Sequence, residues 1–359
     1  MPISSALGSS ALLPAGLGFR NLIINGAMQV NQRTAVATAV TGITSSGYYT
    51  ADRFRFGVSV GTWSQTTVAD APAGFKNSLK LQVTSAASPT AGQVAYLTQA
   101  IEGQNCQGFA KGTSSAKPLV LTFWVKTFQT GTFICQITDY TNSRMVCLPY
   151  TISASATWEQ KTLYIPADAT GTLANDNTGA FEVEFWLAAG SNNNSGTLQT
   201  TWGSVVSANQ AVGQTNVSAS TSNYWQITGV QLEQNYQPTP FEQRPIGVEL
   251  SLCQRYYYRR SNVTGYNYIE GMGMGVNYSN SFSCSFQNPV EMRSAPVYAL
   301  VSGTTGVDAY GIASSATYSA QWTTTKGGRI SYATSGLTDY RPYFLIGNVD
   351  AVIQFSSEL

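Results

Sequence analysis

Between residues 21 and 240 no stretch of the chain sustains a helical period. Short segments that alternate apolar and polar residues recur there between turn-rich loops, which confines the region to β structure. Phe181–Ala188 (FEVEFWLA) puts Phe181, Val183 and Phe185 on one face of a strand and Glu182, Glu184 and Trp186 on the other. Leu79, Leu81 and Val83 alternate with polar neighbours, as does Trp158–Ile165. Leu119–Lys126 (LVLTFWVK) is nearly continuously apolar, the pattern of a central strand covered on both faces. Val94–Ile101, Thr132–Thr138 and Tyr224–Leu232 bring the total to seven or eight strands, separated by turn-forming runs such as ASPTAG and GSNNNSGT. Strands of this number and spacing predict a sandwich or jelly roll.

The 359 residues exceed the usual range of one domain, so a second unit is expected. Pro238, Pro240 and Pro245 stiffen 237–249 and mark the boundary. Ile246–Tyr256 reads as one short helix, with Ile246, Leu250 and Cys253 at helical spacing. Beyond it strand patterns return at Phe282/Cys284/Phe286, Arg329–Tyr332, Tyr343–Ile346 and Val352–Phe355. Residues 1–20 are small, apolar and Gly/Ser/Pro-rich, the make-up of an arm that docks on a neighbour in a multi-chain particle.

Charge narrows the functional classes. Only 10% of residues are charged and the net charge is +1, which leaves no electrostatic footprint for nucleic acid or an anionic membrane. Histidine is absent, which removes the Ser-His-Asp and Cys-His nucleophile arrangements and zincin sites. The five cysteines, with no CxxC, read as buried reduced thiols. The N-terminus lacks a basic leader and no run of 18 apolar residues occurs, so synthesis in a cytoplasm without membrane insertion is expected.

Several separated segments share one pattern. Gly18–Arg33 (GFRNLIINGAMQVNQR), Tyr49–Phe54 (YTADRF), Val230–Glu233, Pro240–Pro245 (PFEQRP), Glu249–Tyr257 (ELSLCQRYY), Pro289–Pro296 and Phe355–Leu359 (FSSEL) appear in this order from start to end. In that order they resemble phage tail-fibre-like and virion structural proteins. Phe123–Lys126 and Trp225–Leu232 are similar to strands of a carbohydrate-binding-module-like jelly roll. The resemblance implies an all-β chain: the arm over 1–20, a jelly-roll β-sandwich over 21–240, a linker with a short helix over 241–254 and a smaller C-terminal β-sandwich domain over 255–359. It also implies a non-enzymatic virion component, commonly a homotrimer, attached to other virion proteins by the arm and binding a host cell-surface glycan. The alternative is a purely structural capsid decoration, head fibre or tail connector without a ligand.

Sugar recognition needs flat aromatic faces and hydrogen-bonding groups for hydroxyls. The candidates are Trp63, Tyr140, Trp158 and Trp186 with Glu182 and Glu184, and beyond them Tyr150 and Trp202; Trp124 reads as core. Glu182 and Glu184 stand about 7 Å apart as an i, i+2 pair, but both come from one strand, whereas glycosidase carboxylates flank the substrate. No catalytic residue is therefore assigned. Asp139, Asp168 and Asp176 lie in loops as candidate ligands of a structural Ca2+, although no DxDxD-type spacing accompanies them. Arg255, Tyr256, Tyr257 and Tyr258 form an aromatic and cationic run of the kind enriched at oligomer interfaces.

Overall fold

The computed structural model describes residues 20–261, 269, 272–302, 305–309, 312–315, 317–347 and 351–359. Nearly all of the expected arm lies outside these. The first module contains β1 (Val40–Ile43), β2 (Gly47–Tyr48), β3 (Arg55–Val58), β4 (Thr62–Val68), β5 (Ser78–Ser85), β6 (Val94–Glu102), β7 (Leu119–Thr127), β8 (Gly131–Asp139), β9 (Arg144–Ile152), β10 (Glu159–Ile165), β11 (Gly179–Ala189), β12 (Gly203–Ser204) and β13 (Tyr224–Glu233). They form two sheets, ordered β1-β4-β5-β13-β7-β10 and β12-β9-β8-β11-β6-β3-β2. The neighbours are antiparallel, as in β11 with β6 and β8. The two inner faces enclose one core in which Phe56, Trp63, Leu81, Phe123, Phe133, Phe181, Phe185 and Trp225 are buried. This is the jelly-roll sandwich the strand pattern predicts. The alternation in β11 holds: Phe181, Val183 and Phe185 face the core.

Two helices carry functional consequences. The single turn α1 (Ser191–Asn194) begins a segment that folds over the outer face of the second sheet. Helix α2 (Ile246–Gln254) follows the proline-rich boundary. It buries Glu249 and Cys253 while Ile246 is 56% exposed, so the expected apolar stripe packs only at its Cys253 end. Glu249 is buried because it accepts the Asn25 backbone N–H at 2.5 Å and faces Arg244 at 3.4 Å.

Beyond α2 the chain forms β14 (Tyr257–Ser261), β15 (Gly275–Tyr278), β16 (Ser281–Gln287), β17 (Val297–Ser302), β18 (Thr305–Ala309), β19 (Ile312–Ser315), β20 (Thr317–Thr324), β21 (Gly327–Ala333), β22 (Pro342–Gly347) and β23 (Val352–Ser356). These make a three-stranded sheet, β14-β23-β17, and a seven-stranded sheet, β19-β18-β22-β15-β16-β21-β20. Their shared core holds Tyr258, Phe282, Phe286, Ile330, Tyr332, Ile353 and Phe355. All five cysteines are buried and free of disulfides.

The segments that carry the sequence resemblance converge at the junction between the two modules. Asn25 takes a left-handed backbone (φ 61°), and its side chain accepts the N–H groups of Gln29 and Val30 at 2.9 Å and donates to Val30 O and Asp52 O. Gly26 is required beside it, because a Cβ there would come within 2.1 Å of the Val230 carbonyl. Arg33 pairs with Asp52 and Glu358 at 2.8 Å each, and Arg53 pairs with Glu358. The two guanidinium groups lie 3.5 Å over the rings of Tyr257 and Tyr256. Arg255 grips Glu102 with two hydrogen bonds of 2.7 Å, and the Tyr256 hydroxyl donates to the same carboxylate. This placement corrects the expected oligomer interface. Tyr256, Tyr257 and Tyr258 are 1–2% exposed within one chain; Arg255, Tyr256 and Tyr257 tie its own modules together, and Tyr258 packs in the second core.

Candidate functional site

The second sheet presents its other face outward, and there the polar residues of β11 meet those of its neighbours. Register places Glu182 opposite Ala100 and Thr138, Glu184 opposite Thr98 and Gln136, and Trp186 opposite Tyr96. Arg55 on β3 lies beside Thr98 on β6. The strip therefore comprises Arg55, Tyr96, Thr98, Glu182, Glu184, Gln136 and Thr138, with Tyr140 at the end of β8. Tyr96 lies flat across β3 because Gly57 has no side chain; a Cβ there would come within 2.3 Å of the ring.

Glu182 and Glu184 are each 7% exposed but differ in their partners. Glu182 accepts hydrogen bonds from the Thr98 and Tyr140 hydroxyls. No hydrogen bond among the described residues reaches the carboxyl of Glu184. Burial, and then the charge of Glu182, push its pKa well above the usual carboxylate range against the pull of Arg55. Glu184 is thus held toward its protonated form, with donor and acceptor capacity unused inside the chain. Tyr140, 54% exposed, offers a ring face above this pair while its hydroxyl is fixed by Glu182.

Of the residues expected to bind sugar, Glu182, Glu184 and Tyr140 come together. Trp186 adjoins them but is 2% exposed. It packs with Ile134, Met145, Cys147, Ala211 and Leu198, because the segment after β11 folds back over that end of the sheet. Its indole donates to Gln136 Oε1 at 3.2 Å. Trp186 is a support under the strip and not a stacking face. Trp63 is fully buried against Phe56, with its indole donating to Val60 O at 2.8 Å, and belongs to the core. Trp158 lies beyond the opposite sheet, where it donates to Asp70 at 3.2 Å. Tyr150 is core, stacked on Phe133, whereas Trp124 is half-buried outside the core. Trp202 is half-buried and donates to Pro166 O.

Sequence reasoning missed Arg55, Tyr96 and Thr98. Alternation in VAYLTQAIE puts Tyr96 and Thr98 on one face, but only strand pairing places that face beside Glu182 and Glu184.

The loops expected to hold Ca2+ already hold a cation. The Lys111 ammonium stands 2.5 Å from Asp139 Oδ2, 3.0 Å from Asp168 Oδ2, and 2.8 and 3.1 Å from the carbonyls of Thr170 and Gly171. Arg144 takes the remaining valence of Asp168 at 2.8 and 3.0 Å. Asp176 is apart, bonded to Thr178. Among the described residues no three carboxylate, cysteine or histidine groups are arranged to hold a metal.

No family model and no curated protein matches the sequence. Among solved structures, 60% of the chain aligns with the enzymatically active domain of tailspike protein 4 of bacteriophage CBA120, at 18% identity and TM-score 0.31. That alignment spans only 22% of the tailspike chain. A putative sugar-binding protein of Bacteroides thetaiotaomicron aligns over its whole length with 60% of this chain, at 12% identity and TM-score 0.32. The family 11 carbohydrate-binding module of a cellulosomal cellulase of Clostridium thermocellum aligns over 96% of its length with 59% of this chain, at 11% identity and TM-score 0.26.

Proposed function

We propose that this chain is a non-enzymatic, fibre-like component of a phage particle whose jelly roll binds a host-surface glycan on the outer strip of its second sheet. The observation that carries this reading is Glu184. Its side chain is set into the sheet at 7% exposure, yet no hydrogen bond among the described residues reaches its carboxyl, whose oxygens open to the surface where a ligand can take them. A sugar hydroxyl both donates and accepts, so it matches a protonated carboxyl. Arg55, Thr98 and the Glu182–Tyr140 pair supply the surrounding polar contacts, and Tyr140 supplies a ring face. A catalytic role is not favoured, because both carboxylates project from one strand on the same side of any bound chain.

A single such strip binds weakly. Display on a homotrimer, many copies to a particle, would convert millimolar contacts into useful avidity. The sequence resemblance and the near-neutral surface support the assembled state. A glycan array probed with the full chain, its Glu184→Ala and Tyr140→Ala variants, and an assay for released reducing ends test the proposal. The expected result is binding to a defined glycan set, lost in both variants, with no cleavage. Binding that survives both substitutions would overturn the assignment. Absence of all binding would leave the purely structural decoration as the better reading.

A further inference from the structure

The outer face of the first sheet carries a second constellation, which shares no residue with the strip above. Gln226 on β13 stands between Lys80 on β5 and Lys126 on β7 in one cross-strand row. Trp158 lies just ahead of β10, at the same end of the sheet. Three of these groups converge on one carboxylate. Lys126 Nζ reaches Asp70 Oδ2 at 2.6 Å, Gln226 Nε2 reaches the same oxygen at 3.3 Å, and Trp158 Nε1 donates to Oδ1 at 3.2 Å. Gln226 is 2% exposed, whereas the Asp70 side chain is 47% exposed. Gln226 is set into the sheet, Lys126 and Trp158 flank it nearer the surface, and the carboxylate they hold lies at the surface. Its backbone is fixed separately, since Ser78 Oγ donates to Asp70 O at 2.6 Å. The carboxylate can therefore leave by side-chain rotation alone. Among the described residues no carboxylate lies within ion-pair distance of Lys80; its ammonium lies 4.7 Å over the Tyr224 ring. Tyr224 in turn stands 6.5 Å from Phe128, which is 47% exposed.

We propose that this face is a binding site for a carboxylate-bearing sugar, with Asp70 as an internal stand-in for the ligand's carboxylate. Lys126, Gln226 and the Trp158 indole take the incoming carboxylate once Asp70 swings out. Lys80 adds a second positive charge on the same row, and Tyr224 with Phe128 forms the apolar ledge for the sugar ring. A neutral sugar lacks the group that displaces Asp70. The acidic sugar exchanges one carboxylate for another in the same donors, with the Lys80 attraction as surplus.

The test is a titration of the full chain with D-glucuronate, N-acetylneuraminate, glucose and acetate, read by calorimetry and by the Trp158 indole N–H resonance. Asp70→Ala vacates the donors and is expected to tighten binding of one or both acidic sugars about tenfold, the scale of one charge-assisted hydrogen bond. Adding Lys126→Gln to Asp70→Ala removes that gain, and glucose leaves the resonance in place throughout. Which acidic sugar binds tells a uronate site from a sialate site. The proposal falls if Asp70→Ala binds neither acid, if glucose binds as well, or if acetate alone matches the acidic sugars, since the site would then read no sugar. Unchanged affinity in the Lys126→Gln double variant would equally overturn it.

Discussion

Two of the places where the chain buries carboxylates treat them in opposite ways. At the module junction each acid meets a cation: Asp52 meets Arg33, Glu102 meets Arg255, and Glu358 is shared by Arg33 and Arg53. On the outer strip of the second sheet, Glu182 is served by two hydroxyls and Glu184 by no hydrogen bond among the described residues. The contrast separates a device that holds from one that waits. Paired ions inside a protein add little beyond what apolar packing would give, but they fix one geometry, and breaking one is costly. A carboxyl that no group of the chain serves is left to water or to a ligand from outside.

The junction carries the largest expected effect. Glu358→Ala leaves Arg33 and Arg53 buried without their shared partner and should lower unfolding stability by about 3–5 kcal/mol in urea. A loss below about 1 kcal/mol would show that the pairing is incidental. The Lys111 cage follows the same logic on a smaller scale. Lys111→Met leaves the buried Asp139 with the two Asn142 N–H donors but no cation, while Arg144 still serves Asp168, so a loss of about 2–3 kcal/mol is expected in the same assay.

The strip should respond in the opposite sense. Glu184→Gln removes an ionisable group whose pKa burial raises, so the sign is determined. In the folded chain Glu184 holds its proton while the unfolded chain releases it, so its stabilising contribution is complete below the ordinary value of 4.5. That contribution is lost as pH rises toward the raised folded pKa. Relative to wild type, the variant should therefore be near neutral at pH 4 and more stable at pH 8, with the difference growing as pH rises above 4.5. A variant equally destabilised at both pH values would mean that Glu184 has a structural partner, and the comparison would collapse. The smallest effect belongs to Tyr140→Phe. It removes one hydroxyl from Glu182 and keeps the ring, so stability should fall by about 1 kcal/mol with glycan affinity largely retained. If affinity falls as far as in Tyr140→Ala, the hydroxyl and not the ring face is what the sugar uses.

The fold was legible where residues act through period alone. FEVEFWLA and LVLTFWVK form long strands near their expected limits, and the short helix after the prolines is present, because alternation, apolar runs and proline are local signals. What failed depended on partners far along the chain. In TWSQTTV the inward residues are Trp63, Gln65 and Thr67, and the polar pair hides the tryptophan's inward face. Trp186 sits on the polar side of its strand as expected, yet a segment some 25 residues on covers it. The tyrosine run after α2 looks like an interface and is one, but between parts of the same chain. Lys111 stands where a divalent ion was expected, since the spacing of aspartates does not reveal a cation supplied from a distant loop. Arg55, Tyr96 and Thr98 became site residues only through the register of β3 and β6 with β11.

The most direct test of the central claim is a structure of the chain bound to the glycan that the array selects. The account predicts a sugar ring against Tyr140, with a hydroxyl in hydrogen-bond contact with Glu184 and Arg55 within reach of its neighbour. A glycan seated elsewhere, with the Glu184 carboxyl still unserved at saturating ligand, would contradict it.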